Sequence, residues 1–103
     1  MDKKYQLRYL PLFEQDVLRV KKYIIFTLKN PEAALRLIED TEEAINKRLE
    51  NPLAFEPYRS IRDRAQKYYR INIRNYSVFF VIIDDIMEVR RFVYNKRNLH
   101  DMI

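Results

Sequence analysis

An apolar run at residues 77–83, SVFFVII, is the feature that most constrains the fold of this chain. It lies between two segments in which polar and apolar residues alternate, KYYRINIR before it and IMEVRRFVY after it. Alternation is typical of a strand with one buried face, whereas a short, almost wholly apolar run is typical of a strand buried on both faces. The joints at 75–76 and 84–85 are short enough to make consecutive strands antiparallel. Residues 67–97 are therefore predicted to form a three-stranded meander.

The segment before this meander predicts one strand and two helices. Alternation of apolar and polar residues over 4–10 is typical of a short strand. Apolar residues then recur at spacings of three and four over residues 12–28 and 31–50, which predicts two helices with one buried stripe each. Asn30-Pro31 ends the first helix and leaves only a short connection to the second, because a residue before proline avoids the helical conformation. So short a connection favours an antiparallel hairpin.

Together these elements predict a single α+β domain over residues 1–103, with the order β-α-α-β-β-β. The first strand is expected at an edge of the meander. The helical hairpin is expected on one face of the sheet, because each helix has only one apolar stripe to bury. Asp16 is expected in the first turn of its helix, where a carboxylate complements the helix dipole. The residues expected to be buried by the helices are Phe13, Val17, Val20, Ile24, Leu28, Ala34, Leu37, Ile38, Thr41, Ile45 and Leu49.

The composition excludes several kinds of site. The chain has no cysteine and a single histidine, which excludes a thiolate site or a structural zinc site. It also has no glycine, which excludes the glycine-rich loops that bind nucleotides, so we expect neither a metal nor a cofactor. No apolar run approaches the length of a membrane span, and a cytoplasmic protein is expected. In place of glycine, asparagine is expected at turns and helix ends, at positions 30, 51, 75 and 95.

Positive charge dominates the chain and favours an anionic partner. The net charge is +5 and the pI is about 9.5, a balance typical of proteins that bind nucleic acid or an acidic protein. A basic domain without such a partner is the alternative. Arg90 and Arg91 on the last predicted strand are expected to contribute to a basic surface of the sheet.

A row of side chains on the strand before the apolar run is the strongest candidate for chemistry. Strand alternation places four of them on one face: Tyr68, Arg70, Asn72 and Arg74. If the apolar face meets the helices, this row lies on the open side of the sheet. Guanidinium groups beside aromatic rings suit phosphate binding and base stacking on single-stranded RNA. The alternative is an exposed sheet face that arginine keeps soluble.

Several segments carry a family resemblance. They are LRYLPLFEQDV at the first helix, NPEAALRLIEDTEEAI in the second, LENP at its end, then YYRINIRNYSVFFVIIDD and VRRFVYNKRNL. In this order, and over essentially the whole chain, they resemble the toxins of the RelE/ParE superfamily, the toxic halves of bacterial type II toxin–antitoxin systems. The resemblance implies a protein that inhibits growth and is neutralised by a cognate antitoxin.

The resemblance leaves two targets open. RelE-like toxins are mRNA interferases that cleave mRNA on the ribosome, whereas ParE-like toxins inhibit DNA gyrase. In the RelE-like branch a catalytic arginine opens the central strand, where this chain has Ser77, and a second basic residue follows the last strand, where it has Arg97. Arg70 or Arg74 is the candidate to replace the missing guanidinium from the adjacent strand. The terminal NKRNLHDMI looks closer to the ParE pattern. A toxin-like fold with neither activity is the third alternative.

The arginine row and the resemblance together define the candidate site residues. A ribosome-dependent endoribonuclease without metal needs arginine to stabilise the phosphate's charge and a group that moves protons. Its candidate catalytic residues are Arg70, Arg74, Arg97 and Tyr94. The candidate RNA-binding or partner-binding residues are Arg59, Arg62, Arg64, Lys67, Tyr68, Asn72, Lys96 and His100. A gyrase inhibitor would need no chemistry and would use the helical hairpin and the tail after Arg97.

Overall fold

The computed structural model describes residues 4–59 and 66–97 of the chain. Its elements follow the predicted order β-α-α-β-β-β. The strands are β1 (Gln6–Tyr9), β2 (Tyr69–Ile73), β3 (Tyr76–Ile83) and β4 (Ile86–Tyr94), and the helices are α1 (Pro11–Lys22) and α2 (Pro31–Leu49). A π-helical turn, Tyr23–Thr27, extends α1 toward the connection with α2. In the described part of the chain, no helix is long and apolar enough to cross a membrane.

The four strands form one sheet in the order β1-β4-β3-β2. Strands β2, β3 and β4 pair antiparallel in sequence order, which confirms the predicted meander. Strand β1 lies at the predicted edge and pairs in parallel with β4. As a result β4 is an interior strand rather than a flanking one, and its polar side chains need partners within the protein.

The main core lies between the helical hairpin and one face of the sheet. Phe13 of α1 meets Phe92 of β4 edge to face, with ring centroids 6.2 Å apart. The two predicted helical stripes are buried or half-buried except at Leu28, which is 55% exposed. The π-helical turn is the reason, because its wider i→i+5 spacing breaks the α-helical period: Ile25 packs against the core and Leu28 lies outside it.

The turns of this glycine-free chain place residues with positive φ at positions that the sequence did not predict. Among the described residues, positive φ values occur at Lys29 (53°), Arg74 (55°) and Asp84 (55°), and the asparagines do not adopt them. Asn30 instead caps α2, since its Oδ1 accepts a hydrogen bond from the Ala33 N–H at 3.2 Å. The asparagines therefore stand at the joints as predicted, but their neighbours carry the left-handed backbone.

Candidate functional site

The sheet face opposite the helices is partly covered, which corrects the expectation of an open arginine row. Tyr58, from the loop after α2, packs edge to face on Phe79 with ring centroids 5.1 Å apart. Its backbone N–H donates to the Tyr68 carbonyl at 2.7 Å. Tyr68 is buried with Phe79 in a second, smaller core that also contains Val81 and Val93. The loop covers this half of the face because β3, which has apolar residues on both sides, would otherwise leave Phe79 in water.

Arg70 is the candidate whose side chain the structure positions most firmly. Its Nε donates to Ser77 Oγ at 2.7 Å and its Nη2 donates to Asn95 Oδ1 at 3.1 Å. The Ser77 hydroxyl is fully buried and lies 2.5 Å from Asn95 Oδ1 and 3.2 Å from Asn72 Oδ1. We call these four residues (Arg70, Asn72, Ser77 and Asn95) the Arg70 cluster. It places a guanidinium directly over Ser77, from the neighbouring strand.

Arg74 does not join this cluster. It stands in the turn between β2 and β3 with φ 55°, so strand alternation no longer sets the direction of its side chain. Its Nη2 forms an ion pair with Asp40 Oδ2 of α2. Both side chains are about half exposed, so the pair contributes little to stability. The predicted row on β2 therefore ends at Asn72.

Tyr94 lies on the opposite face of the sheet from Arg70. It follows Phe92 by two residues on β4, and Phe92 belongs to the helix-side core. Its ring contacts Tyr76 with centroids 5.4 Å apart, and Tyr76 stacks on Phe92 at 5.1 Å. Burial raises the pKa of Tyr76, and the neighbouring Tyr94 and Tyr23 raise it further. Tyr94 is thus part of an aromatic group beside the helices, not a partner of the Arg70 guanidinium.

Four of the remaining candidates are exposed cations of the described residues. The exposed ones are Arg59, Lys67, Lys96 and Arg97, and the described part of the chain gives none of them an ion pair. The Arg97 backbone N–H donates to the Tyr94 carbonyl at 3.0 Å. Three further candidates, Arg62, Arg64 and His100, lie outside the described residues.

Two buried carboxylates neutralise arginines that the sequence assigned to a basic surface. Asp16 is 1% exposed, and its Oδ2 accepts from Arg91 Nε at 2.8 Å and from the Phe92 backbone N–H at 3.0 Å. Asp16 thus lies beyond the first turn of α1, where Glu14 is the acidic residue, and it anchors α1 to β4 instead of complementing the helix dipole as expected. Its position three residues after Phe13, inside the apolar stripe, was the available sequence signal.

Glu88 neutralises Arg8 and Arg90 on the face of the sheet opposite the helices. It accepts from Arg8 Nε at 2.9 Å and from Arg90 Nε at 2.8 Å. Arg90 also donates from Nη1 to the hydroxyl oxygen of Tyr68 at 3.1 Å. Burial alone would raise the pKa of Glu88, but the hydrogen bonds from the two arginines outweigh it and hold that pKa below its ordinary value of 4.5. Consequently, three of the strand arginines, Arg8, Arg90 and Arg91, are paired within the protein and are not available to an external anion.

The Arg70 cluster combines a guanidinium with hydroxyl and amide groups, none of which is an ordinary general base. Arg70 is the strand arginine that has no carboxylate partner within the described residues, whereas Arg8, Arg90 and Arg91 each have one. The side chains that hold it are neutral hydroxyl and amide groups. Residues 4–59 and 66–97 also contain no group of His, Cys, Asp or Glu that could hold a metal ion.

Comparison with known proteins identifies similar sequences and folds. Residues 7–99 match the family model described as the ParE toxin of the type II toxin–antitoxin system parDE. A solved chain of the chromosomal ParDE system from P. aeruginosa is similar at a TM-score of 0.70 and 16% identity, over 89% of this chain and 97% of that one. A chain of the RelB–RelE antitoxin–toxin complex from Methanococcus jannaschii has a TM-score of 0.49 and 24% identity, over 93% and 98%. No curated protein sequence gives a significant match.

Proposed function

This chain belongs to the ParE toxin family of type II toxin–antitoxin systems, and we propose that it inhibits growth by binding DNA gyrase without chemistry of its own. The separation of the candidate catalytic residues supports gyrase binding over mRNA cleavage. The groups that a nuclease would need are apart: Arg70 lies on one face of the sheet, Tyr94 on the other, and Arg74 is paired with Asp40. Positioning of the reacting groups supplies much of the rate in a metal-free phosphoryl reaction, so such an arrangement favours binding over cleavage.

A cognate antitoxin is the second partner in this proposal. The solved chains that resemble this one come from systems named as toxin–antitoxin pairs. The net charge of +5 favours an acidic antitoxin, because complementary charge speeds encounter and disfavours wrong partners. The exposed cations Arg59, Lys67, Lys96 and Arg97 are the side chains that such a partner would cover first.

Induction of the toxin without its antitoxin tests the target. We expect DNA synthesis, followed by pulse-labelled thymidine, to fall before protein synthesis, together with an SOS response. Purified toxin is expected to block supercoiling of relaxed plasmid by gyrase, and a gyrase-independent topoisomerase assay serves as the control. Early arrest of translation with unchanged supercoiling activity would contradict the proposal.

A ribosome-dependent mRNA endonuclease remains the second candidate, because of one feature of the Arg70 cluster. Its guanidinium lies over Ser77, the position at which RelE-like toxins carry their catalytic arginine according to the sequence resemblance. Mapping the 5′ ends of cellular mRNA after induction distinguishes the two functions. Newly cut messages that disappear in Arg70→Ala would establish cleavage, and intact messages alongside growth arrest would exclude it.

A further inference from the structure

We infer that the end of the helical hairpin is the surface with which the toxin contacts an acidic face of its protein target. We call residues 21–29 the hairpin tip; they comprise the last residues of α1, the π-helical turn and the following Leu28 and Lys29. The inference rests on the proposed function, since a toxin that acts only by binding requires a surface for its target. It narrows that surface from the whole helical hairpin to its tip and adds the chemistry of the partner.

The hairpin tip exposes large apolar side chains. Tyr23 is 51% exposed, Phe26 is 71% exposed and Leu28 is 55% exposed, within six consecutive residues. Among the exposed large apolar residues of the described chain, Phe26 has the highest fraction. Large exposed apolar side chains that lie this close together in the chain are typical of an interaction site. Aromatic residues are also enriched at the centres of protein–protein interfaces.

The backbone holds this surface in one conformation. The Leu28 N–H donates to the Tyr23 carbonyl at 3.1 Å, and the Asn30 N–H donates to the Ile24 carbonyl at 3.0 Å. Ile24 is buried in the main core and so holds the π-helical turn against it. The turn closes with Lys29 at φ 53°, a conformation that costs free energy for a residue other than glycine. π-Helical turns and such backbone strain concentrate at functional sites, and a fixed surface loses little entropy when it binds.

The charge of the hairpin tip specifies an acidic partner. Lys21, Lys22 and Lys29 border the apolar side chains, all three are exposed, and residues 21–29 contain no carboxylate. A second exposed apolar group, in the loop after α2, differs because the Arg48 guanidinium already stacks on Phe55 at 4.0 Å from the ring centroid. The hairpin tip thus fits a protein surface on which carboxylates surround an apolar depression.

Two leucines of similar exposure provide a matched test of the apolar contact. Leu28→Asp at the tip is expected to abolish growth inhibition and to weaken binding to purified gyrase by at least about tenfold, as truncation at an interface centre does. Leu53→Asp, at a residue that is 48% exposed in the loop after α2, is expected to leave both unchanged. Thermal unfolding of both variants verifies that they fold. Equal effects of the two substitutions would overturn the inference.

Two lysines provide the corresponding test of charge. Lys22 and Lys47 are exposed residues in the last turns of α1 and α2, so reversal of either charge has a similar cost at a helix end. Lys22→Glu is expected to reduce gyrase affinity and its dependence on salt, whereas Lys47→Glu is expected to preserve both. An unchanged affinity in Lys22→Glu would overturn the assignment of an acidic partner.

These experiments distinguish a wrong target from a wrong contact surface. If wild-type toxin does not bind gyrase, the proposed target is wrong, but loss of toxicity in Leu28→Asp and not in Leu53→Asp would still support the tip as the target contact. If Leu28→Asp loses antitoxin binding, with or without a loss of toxicity, the tip is an antitoxin surface and the inference fails. Binding of wild-type toxin, but not Leu28→Asp, to phosphatidylglycerol vesicles, with equal gyrase affinity, would overturn it in favour of a lipid contact.

Discussion

At the scale of single residues, two carboxylates determine where the positive charge of this protein is available. Asp16 and Glu88 are buried, and each receives hydrogen bonds from two arginines. A buried charge that loses its partner is costly, because the surrounding protein cannot replace the lost solvation. These pairs therefore belong to the fold, and they remove arginines from the set that could bind a nucleic acid.

The Asp16 pair predicts a large effect of a small substitution. Asp16→Asn removes the negative charge beside Arg91, whose side chain is only 19% exposed, and is expected to lower the free energy of unfolding by about 3 kcal/mol. Urea unfolding followed by circular dichroism measures this change. Glu14→Gln, at an exposed position of the same helix, is the control and is expected to change stability by less than about 0.5 kcal/mol. A small effect of Asp16→Asn would mean that water solvates the Arg91 guanidinium in place of the lost carboxylate.

Glu88 predicts a dependence of stability on acid. Its pKa in the folded protein lies below the ordinary 4.5, so the folded state binds fewer protons than the unfolded state near that pH. The stabilisation is present above pH 4.5 and is lost as the pH falls through the folded pKa. The difference in unfolding free energy between wild type and Glu88→Gln is therefore expected to be constant at neutral pH and to shrink below pH 4.5. A difference that does not vary down to pH 3 would contradict this linkage.

At the scale of elements, the connection between α1 and α2 shows how a chain without glycine makes a tight reversal. Lys29 takes the left-handed conformation at φ 53°, and Asn30 caps the next helix. Asn30-Pro31 could be read from the sequence as a boundary because both residue types have strong local preferences. The π-helical turn before it could not, since its residues also fit the ordinary helical period.

The left-handed residue predicts an order of variant stabilities. Lys29→Val is expected to be less stable than Lys29→Gly by about 1–2 kcal/mol, because a β-branched side chain is disfavoured at positive φ. The order should reverse at Lys22, because its backbone is helical (φ −62°, ψ −41°) and glycine is less favourable than valine in that conformation. Thermal or urea unfolding of the four variants measures both orders. The same order at both sites would show that Lys29 is not left-handed in solution.

At the scale of the whole molecule, a β-bulge in β4 separates the nuclease candidates. The pairing of β3 with β4 shifts between Phe79 and Phe80, so that Phe79 lies opposite Arg91 and Phe80 opposite Val89. Arg90 is therefore the extra residue, and beyond it Phe92 and Tyr94 lie on the helix side of the sheet. Without the bulge, Tyr94 would lie on the same face as Glu88 and Arg90. With it, Tyr94 packs beside the helices, away from Arg70.

This arrangement predicts that the two faces can be altered separately without loss of toxicity. Arg70→Ala and Tyr94→Phe are each expected to retain growth inhibition, because neither residue belongs to the hairpin tip and no catalysis depends on them in our proposal. Plating efficiency after induction measures the effect, and Leu28→Asp serves as the inactive reference. Loss of toxicity in both variants, with folding intact, would restore the nuclease hypothesis.

The sequence alone determined the elements and their order. Local periodicity reports which side of a helix or strand is buried, so the hairpin, the meander and its almost wholly apolar central strand could all be predicted. The segments quoted for the family resemblance follow that same order, and the match to the ParE toxin family over residues 7–99 agrees with it. The position of Arg70 on the face opposite the helices also followed from alternation, because β2 is regular.

Only the tertiary structure decided which charges are free and which side chains meet. Asp16 and Arg91 are 75 residues apart, so no local pattern indicates their pairing. The bulge that turns Tyr94 away exchanges the faces of β4 without changing its composition, and the loop that brings Tyr58 onto Phe79 has no regular period. Periodicity records the average burial of an element. Electrostatic partners and faces depend on how distant elements approach one another, which is a property of the packed molecule.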